Sequence, residues 1–523
     1  MNILLWTLSL LLGAVLLAAL ARRIGVPSPS LIALGGVMIA LLPNGPRIFL
    51  EPDLALALFV APVLMDAAFD SSLRDLRKNW LPLTSLVFVA VIVTTLAVAM
   101  VARWLVPAMP WPVAVALGAA VAPPDAAAAT AVLNEVRLPY RLITVLEGES
   151  LLNDASALLI YRLAVGAALA HSASVMSALS ALAFVLIGSV AVGVLFALAF
   201  GSVVERFSHV PSSIILQFIG AFGIWILADR LGLSGVLVVV TGAIVLSRRA
   251  GNRMPAAVRI PSYAVWDTAV FLLNALAFIV VGLQLGPITD RLEHVRDLQY
   301  IVFALAIFMT VVLARAGWVL TYNCGLRLFN RALGEHTPRV MKPPPFKRSL
   351  LVAWCGMRGI VTLAAALALP DGSGGAPAFP YRDLIVLTAF AVVLGTLVVQ
   401  GFTLRPLLML LKLDSDETVE REIRTGRAEM LRAALASLGA QDTDVAVILR
   451  SEYTELVGRL DGSGGRPPEA REAETALRTA ARNAARQTLN MLRRTGAIGD
   501  TAFQSLEAEL DLVELEADAL SRW

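Results

Sequence analysis

The 523-residue chain holds only two cysteines, Cys324 and Cys355, and four histidines, His171, His209, His294 and His336. Cys324 is expected near a loop and Cys355 inside a helix, so no disulfide framework is available. All four histidines fall in expected connections between apolar runs, which disfavours a histidine-based proton relay or metal site within a membrane. Charge is scarce as well: charged residues make up 16% of the chain against 58% hydrophobic, whereas a soluble domain carries about 25% charged residues. That shortage excludes an ordinary soluble fold for most of the sequence. Ten-residue stretches of alternating polarity are missing, which argues against a membrane barrel. No G-x-G-x-x-G fingerprint is present, so a dinucleotide-binding domain is unsupported and no cofactor is expected. A net charge of +3 implies no nucleic-acid partner. The opening run Ile3–Leu20 has no basic leader and reads as a retained first span.

What is abundant is apolar sequence in runs bounded by Arg, Pro or Gly clusters, each suited to a hydrocarbon-spanning helix of about 20 residues. Spans are expected near 2–20, 29–43, 54–69, 81–106, 111–134, 143–169, 176–204, 212–228, 233–247, 262–286, 299–322, 347–369 and 382–411. The fold class is therefore an all-α polytopic membrane protein of about 13 transmembrane helices. Basic residues gather in alternate connections: Arg22 and Arg23; Arg74, Arg77 and Lys78; Arg137 and Arg141; Arg248, Arg249, Arg253 and Arg259; Arg327, Arg331, Arg339, Lys342, Lys347 and Arg348. By the positive-inside rule these connections are cytoplasmic, which puts the N-terminus outside and the C-terminus inside. The cell (inner) membrane is the expected location.

Spans 1–6 and 8–13 form two halves of six, inverted relative to each other by the intervening span. Span 5 carries Pro123-Pro124 and span 12 carries Gly356-Met357-Arg358-Gly359 in corresponding positions. Proline removes a helix donor and glycine weakens helical order, so both spans are expected to unwind at mid-membrane, the best sequence pointer to a binding site. The chain divides into a membrane domain at 1–413 and a charged, helical, cytoplasmic C-terminal tail at 414–523, interrupted by the Gly- and Pro-rich stretch 461–468.

The densest buried polarity is Glu147-Gly148-Glu149-Ser150-Leu151-Leu152-Asn153-Asp154. On a helix Glu147, Ser150 and Asp154 share one face, and Glu149 and Asn153 share the neighbouring one. An ionisable group at membrane depth is costly and marks function, and carboxylate and hydroxyl oxygens suit a hard cation. Asp154 is the first-choice ion and proton site, with Ser150 beside it. Asp125, after the double proline, either ligates an ion or caps exposed helix N–H groups; the Pro124 carbonyl remains available as a ligand. Asp66 ends the run Phe59–Met65 and is expected on the ion path, with the shallower Asp70 one turn later. Arg358 needs an anion wherever it sits in the membrane, and Glu149 is the expected partner in a structural ion pair. Arg162, Asp267 and Arg315 lie nearer expected span ends, where arginines snorkel. Asn274 and the Gly282 region are expected to serve helix packing.

Three stretches together, Ala122-Pro123-Pro124-Asp125, Glu147 to Asp154 and Gly356-Met357-Arg358-Gly359, resemble the monovalent cation/proton antiporters that include bacterial NhaP-type proteins and animal sodium/proton exchangers. The likeness runs in order to about Leu413, through Met65-Asp66-Ala67-Ala68 and Val398-Val399-Gln400-Gly401. It implies exchange of a cation (sodium first, then potassium or lithium) for a proton, and a homodimer whose core domain contains two crossed, broken helices. Ion-site roles carry over to Asp154, Ser150, the backbone at Pro124 and the acid at Asp66, with Asp154, Ser150 and Asp66 holding the transported metal ion. The ion-pair role carries over to Glu149 and Arg358. Asn153-Asp154 matches members that exchange without net charge. Two departures stand out, Pro124-Asp125 where many members have Thr-Asp, and Asp66 where many have Glu.

Three other classes compete, one of them a channel, which a demonstration of counter-transport separates from an exchanger. An ion-coupled carrier of another substrate, such as an organic anion, needs basic residues converging on the broken helices, and Arg358 alone does so. An intramembrane enzyme using paired acids could draw on Asp125 and Asp154, but neither sits in a Tyr-Asp or Gly-x-Gly-Asp context and no other catalytic set replaces them.

Overall fold

The computed structural model describes residues 2–43, 46–47, 51–125, 139–169, 175–207, 209–291, 298–333, 343–372, 378–412, 418–438 and 443–461, with isolated residues between 480 and 512. Outside the described residues lie His171, His294, His336, Arg137, Arg339, Lys342, the part of the fifth span from residue 126, and the stretch 462–468.

The described chain is helical, in two compact units, Met1–Ser415 and Asp416–Trp523. In the first unit the order is α1 (Asn2–Ile24), α2 (Ser28–Ala40), α3 (Pro52–Asp70), α4 (Leu73–Lys78), α5 (Trp80–Leu105), α6 (Trp111–Val121), α7 (Tyr140–Leu169), α8 (Val175–Val204), α9 (Val210–Arg230), α10 (Gly235–Arg253), α11 (Ala256–Leu283), α12 (Leu285–Arg291), α13 (Leu298–Leu333), α14 (Phe346–Trp354), α15 (Ile360–Leu367) and α16 (Arg382–Leu411). The second unit contains α17 (Thr418–Leu438) and α18 (Asp444–Asp461). Nine helices among the described residues are long and apolar enough to cross a membrane, and α2 and α6 are shorter apolar helices. The eleventh span is expected to end at 322, but α13 continues to Leu333. Its later residues include Leu326, Arg327, Leu328 and Arg331, which keep good helix propensity after the apolar run ends. Cys324 is exposed on α13, and Cys355 is buried in the turn that ends α14 rather than inside a helix.

Proline places several helix starts. Pro29, Pro52, Pro112 and Pro211 occupy first-turn positions, where the missing N–H was without an intrahelical partner anyway. Within α3 the turn Leu56–Val60 widens into π-helical bonding immediately before Pro62, which cannot donate to Leu58. Burial separates helices that face lipid from those that face protein. Leu5, Leu8, Leu12 and Leu16 on α1, and Phe184, Ile187 and Leu195 on α8, are exposed apolar residues. By contrast α6 is buried from Val113 to Val121 apart from half-buried Val115, and its alanines Ala114, Ala116, Ala119 and Ala120 let neighbours approach closely.

The closest backbone approach joins α2 to α11. A Cβ on Gly282 would strike Ala33 O and sit 2.7 Å from Val37 N, and one on Gly36 would strike Ile279 O. Small residues at a helix crossing permit this contact, which agrees with the packing role expected for Gly282. α2 is also fixed to α16, where Ser30 Oγ donates to Leu397 O at 2.6 Å.

Outside the apolar spans, α4 is clamped to the start of α7. Ser72 caps α4 by accepting from Asp75 N–H at 3.3 Å. Tyr140 OH donates to Asp75 Oδ2 at 3.1 Å, and Arg141 Nε donates to Asn79 Oδ1 at 2.8 Å. Burial alone would raise the Asp75 carboxyl, but hydrogen bonding with Ser72, Tyr140 and Arg74 outweighs it and holds the group below the usual carboxylate range.

Two predictions follow from these contacts. Gly282→Val should destabilise the detergent-purified protein by about 1–3 kcal/mol through overpacking, whereas Gly223→Ala, where a Cβ meets nothing within 4 Å, should be neutral or slightly stabilising; thermal melts of both variants check this. Because the folded Asp75 carboxyl is depressed, its contribution is complete above the unfolded value of about 3.9 and is lost as pH falls through the lower folded value. Melts from pH 7 to pH 3 should therefore show an acid loss in the parent protein that is smaller in Asp75→Asn.

Candidate functional site

The site is built where two interrupted helices meet. α6 ends at Val121, and residues 122–125 leave the helix at the double proline. α14 ends at Trp354, and the segment 356–359 is non-helical before α15 begins. The two breaks are hydrogen-bonded directly, Asp125 N–H donating to Met357 O at 2.7 Å.

Each break exposes helix ends, whose backbone groups must be satisfied inside the protein because lipid offers no water. Arg358, 1% exposed, serves the C-terminal end of α6: Nε donates to Val121 O at 3.1 Å and Nη2 to Ala122 O at 3.2 Å. Its Nη1 donates to Gly356 O, and its backbone N–H donates to Thr396 Oγ1 of α16 at 3.0 Å. A guanidinium there satisfies orphan carbonyls and opposes the negative end of the helix dipole. Asp125 lies at the opposite polarity, against Gly359, the N-cap of α15; a Cβ at Gly359 would collide with its carboxylate. A carboxylate is favoured at that positive end.

The expected Glu149–Arg358 ion pair is corrected by this geometry. Glu149, 1% exposed, is held bidentately by Arg315 of α13, with Nη1 to Oε1 at 2.5 Å and Nη2 to Oε2 at 2.9 Å. Arg315 Nη2 also donates to Val352 O on α14 at 3.1 Å. Arg315 therefore does not snorkel: it is 3% exposed and carries the pairing role assigned to Arg358. Arg358 instead donates to backbone carbonyls, with Glu149 still within electrostatic reach. Arg162 and Asp267 are exposed. The sequence signal for Arg315 was its place inside the apolar run of α13, hidden by drawing that span too short.

On α7, Asn153 is fully buried and donates Nδ2 to Pro124 O at 2.7 Å, tying this helix to the α6 break. Its Oδ1 is buried without a partner among the described residues. Asp154 is 8% exposed and lies within electrostatic reach of Asp125. Its carboxylate accepts no hydrogen bond from the described residues, and Ser150 is half-buried one turn earlier on α7. The structure thus gathers Asp154, Asn153, Pro124 and Asp125, and supplies carboxylate, amide and carbonyl oxygens of the type a hard cation takes. Tyr161, which sequence reasoning missed, donates from its hydroxyl to Ala365 O at 2.5 Å and locks α7 to α15.

Asp66 lines a cavity of about 110 Å³ with Asp70, Glu205, Arg249, Arg259, Tyr263 and Trp266, among α3, α8, α9, α10 and α11. Acids in its reach are Asp70 and Asp267, and Glu147, exposed on α7, feels Asp70. The cavity lining is of mixed charge, with Arg249 held 3.8 Å from Glu205.

Residues 8–410 match the family model described as sodium/hydrogen exchanger, transmembrane. A sodium/proton exchanger of Mycobacterium tuberculosis is 30% identical over 97% of this chain and 95% of its own length. A sodium, potassium, lithium and rubidium/proton antiporter of Bacillus pumilus is 30% identical over 82% of this chain and 65% of its own length. The solved structure of the sodium/proton antiporter of Methanocaldococcus jannaschii has the same fold, with a TM-score of 0.62 at 21% identity over 79% of this chain and 97% of that one.

The Glu149 pairing is testable by a double-mutant cycle. Glu149→Gln and Arg315→Gln should each cost about 3–5 kcal/mol, because each leaves a buried charge uncompensated. Their combination should cost much less than the sum. Melts should give a larger coupling for Glu149 with Arg315 than for Glu149 with Arg358.

Proposed function

The chain belongs to the sodium/hydrogen exchanger family, and from that premise we propose that it is a multi-pass secondary antiporter exchanging a monovalent cation for a proton at Asp154. The observation that carries the reading is the meeting of Asp154 with Asn153, the Pro124 carbonyl and Asp125 at the crossing of two broken helices. Sodium is the leading cation, with potassium and lithium as further substrates; the printed substrates of the Bacillus relative support that breadth. The protein acts as a transporter rather than an enzyme.

In this reading proton and cation compete for one carboxylate. Burial disfavours the bare anion, so the site is occupied by one or the other. A core that reorients readily only when occupied converts this competition into obligatory exchange, and an inward proton gradient then drives cations out. Ser150 and Asn153 complete the oxygen set, and Asp125 balances the α15 end while shaping the site. Asp66 lies on the cation's path toward it, in a cavity that Asp70, Arg249 and Arg259 also line. Only one titrating acid sits in the Asn153-Asp154 pair, which supports exchange of one cation for one proton without net charge. We place the exchanger domain at 1–413 with thirteen passes in two inverted halves, and the tail at 414–523 in the cytoplasm. The N-terminus lies outside, the membrane is the cell membrane, and the working unit is a homodimer.

The test is acridine-dye dequenching in everted vesicles from an antiporter-deficient host. Sodium, lithium or potassium should dequench with the parent protein, and Asp154→Asn should abolish the response at equal protein level. The half-saturating cation concentration should fall as pH rises, by at most about tenfold per unit for one competing proton. Full exchange by Asp154→Asn would overturn the assignment.

A further inference from the structure

A second cavity, of about 290 Å³, lies among α5, α7, α13 and α14, and none of its lining residues belongs to the crossing. Its walls are largely apolar, with Leu86, Val145, Trp318, Val319 and Leu326 among them. The charged groups at this cavity are of one sign: Arg141 and Arg348 both line it, and among the described residues no carboxylate does. The Tyr322 hydroxyl, also in the lining, is buried with no hydrogen-bond partner among the described residues and lies within electrostatic reach of Arg141. An unpartnered buried hydroxyl is costly and points to a missing acceptor.

The site is built rather than incidental. Arg141 is oriented by its 2.8 Å bond from Nε to Asn79 Oδ1. The proline strap 343–345 that forms one wall is fixed from α13: Asn323 Nδ2 donates to Pro344 O at 2.9 Å and to Ser349 Oγ at 2.5 Å, and Arg327 Nη2 donates to Pro344 O at 3.3 Å. Asn323 and Arg327 are thus consumed by the wall. Arg348, in the first turn of α14, makes no ion pair among the described residues. The helices that line the cavity also carry large exposed apolar residues, Phe88 on α5, Leu328 on α13 and Phe346 on α14.

From this combination we infer that the cavity binds an anionic phospholipid, its phosphate held by Arg348, Arg141 and the Tyr322 hydroxyl and its acyl chain laid along the apolar wall. Arginine forks and a hydroxyl donor match phosphate oxygens. A small hydrophilic anion would gain nothing from Leu86, Val319 and Leu326, whereas an acyl chain buries them. Basic pockets between transmembrane helices on the cytoplasmic side are suited to such headgroups, and Arg141 and Arg348 belong to connections expected on that side. The bound lipid would brace α14 directly: Val352 lines the cavity and its carbonyl holds Arg315, the partner of Glu149. This inference does not depend on which cation the protein carries.

Native mass spectrometry of the detergent-purified full chain with phosphatidylglycerol, phosphatidylcholine or inorganic phosphate tests it. The parent protein should retain phosphatidylglycerol in preference to phosphatidylcholine, and millimolar phosphate should not displace it. Arg348→Gln should weaken retention by about fivefold, as expected for one basic side chain. Leu326→Trp, which fills the cavity and leaves every charge in place, should weaken it comparably. Arg331→Gln, an exposed charge on the same helix outside the cavity, should leave it unchanged. Equal retention by the parent, Arg348→Gln and Leu326→Trp, or an equal loss in Arg331→Gln, would reduce the effect to general surface attraction and overturn the site. Displacement by phosphate alone would make it a soluble-anion site and overturn the lipid assignment.

Discussion

The arrangement depends on one constraint: a helix interrupted inside a water-poor core leaves backbone N–H and C=O groups that only the protein can satisfy. Here two interruptions are brought against each other, so that each supplies part of what the other lacks. The Asp125 amide reaches Met357 O, and the Arg358 guanidinium reaches Val121 and Ala122 carbonyls. The charges follow helix polarity, a cation at the C-terminal end of α6 and an anion at the N-terminal end of α15. The crossing is therefore close to electrically satisfied before any transported ion arrives. That leaves Asp154, on a third helix, as the carboxylate there whose charge state can change without dismantling the scaffold.

The second ion pair serves a separate purpose. Glu149 and Asp154 are five residues apart on α7, yet their surroundings are opposite. Glu149 is gripped by both arms of Arg315 and tied through it to Val352, while Asp154 accepts no hydrogen bond from the described residues. A carboxylate held bidentately by a guanidinium is a poor place for an exchangeable proton or cation. A carboxylate with free lone pairs, next to an amide oxygen without a partner, is a good one. Under the proposed function, one helix thus carries a fixed acid and a working acid, distinguished by their neighbours.

Local chemistry was legible in the sequence, and long-range pairing was not. The breaks at Pro123-Pro124 and Gly356–Gly359 could be read because proline and glycine act on their own backbone, and the packing role of Gly282 because a helix crossing needs small residues. Glu149 could be read as buried and paired, but two buried arginines were available and sequence distance does not rank them. The choice failed on a boundary. With span 11 ending at 322, Arg315 sat about 10 Å of helix from the end, within snorkelling reach. In the structure α13 continues past that point without a break, and the guanidinium turns inward. Asp66 is expected on the ion path because its run of apolar neighbours implies depth. Its structural neighbours, Asp70, Tyr263 and Trp266, lie on elements whose mutual placement no local pattern encodes.

Asp66 and Asp154 have different neighbours, Asp70 and Asp267 for the first and Asp125 for the second, and under the proposed exchange that difference bears on how a transporter can be selective and fast at once. An acid that attracts cations over a distance and an acid that releases them need different environments, because a strongly attracting site is slow to empty. Distributing the tasks resolves the conflict. Asp66 and Asp70 share their cavity with Arg249 and Arg259, so basic groups temper its pull on a cation. Asp154 is enclosed, and in the proposed mechanism its occupancy is set by competition between proton and cation. The shorter Asp66 side chain suits the first task, since attraction across a cavity does not require a carboxylate to reach and ligate the ion. Selection is then left to the few oxygens at the crossing, where Asn153 Oδ1 and the Pro124 carbonyl have their positions fixed by the same hydrogen bond that joins α7 to the break.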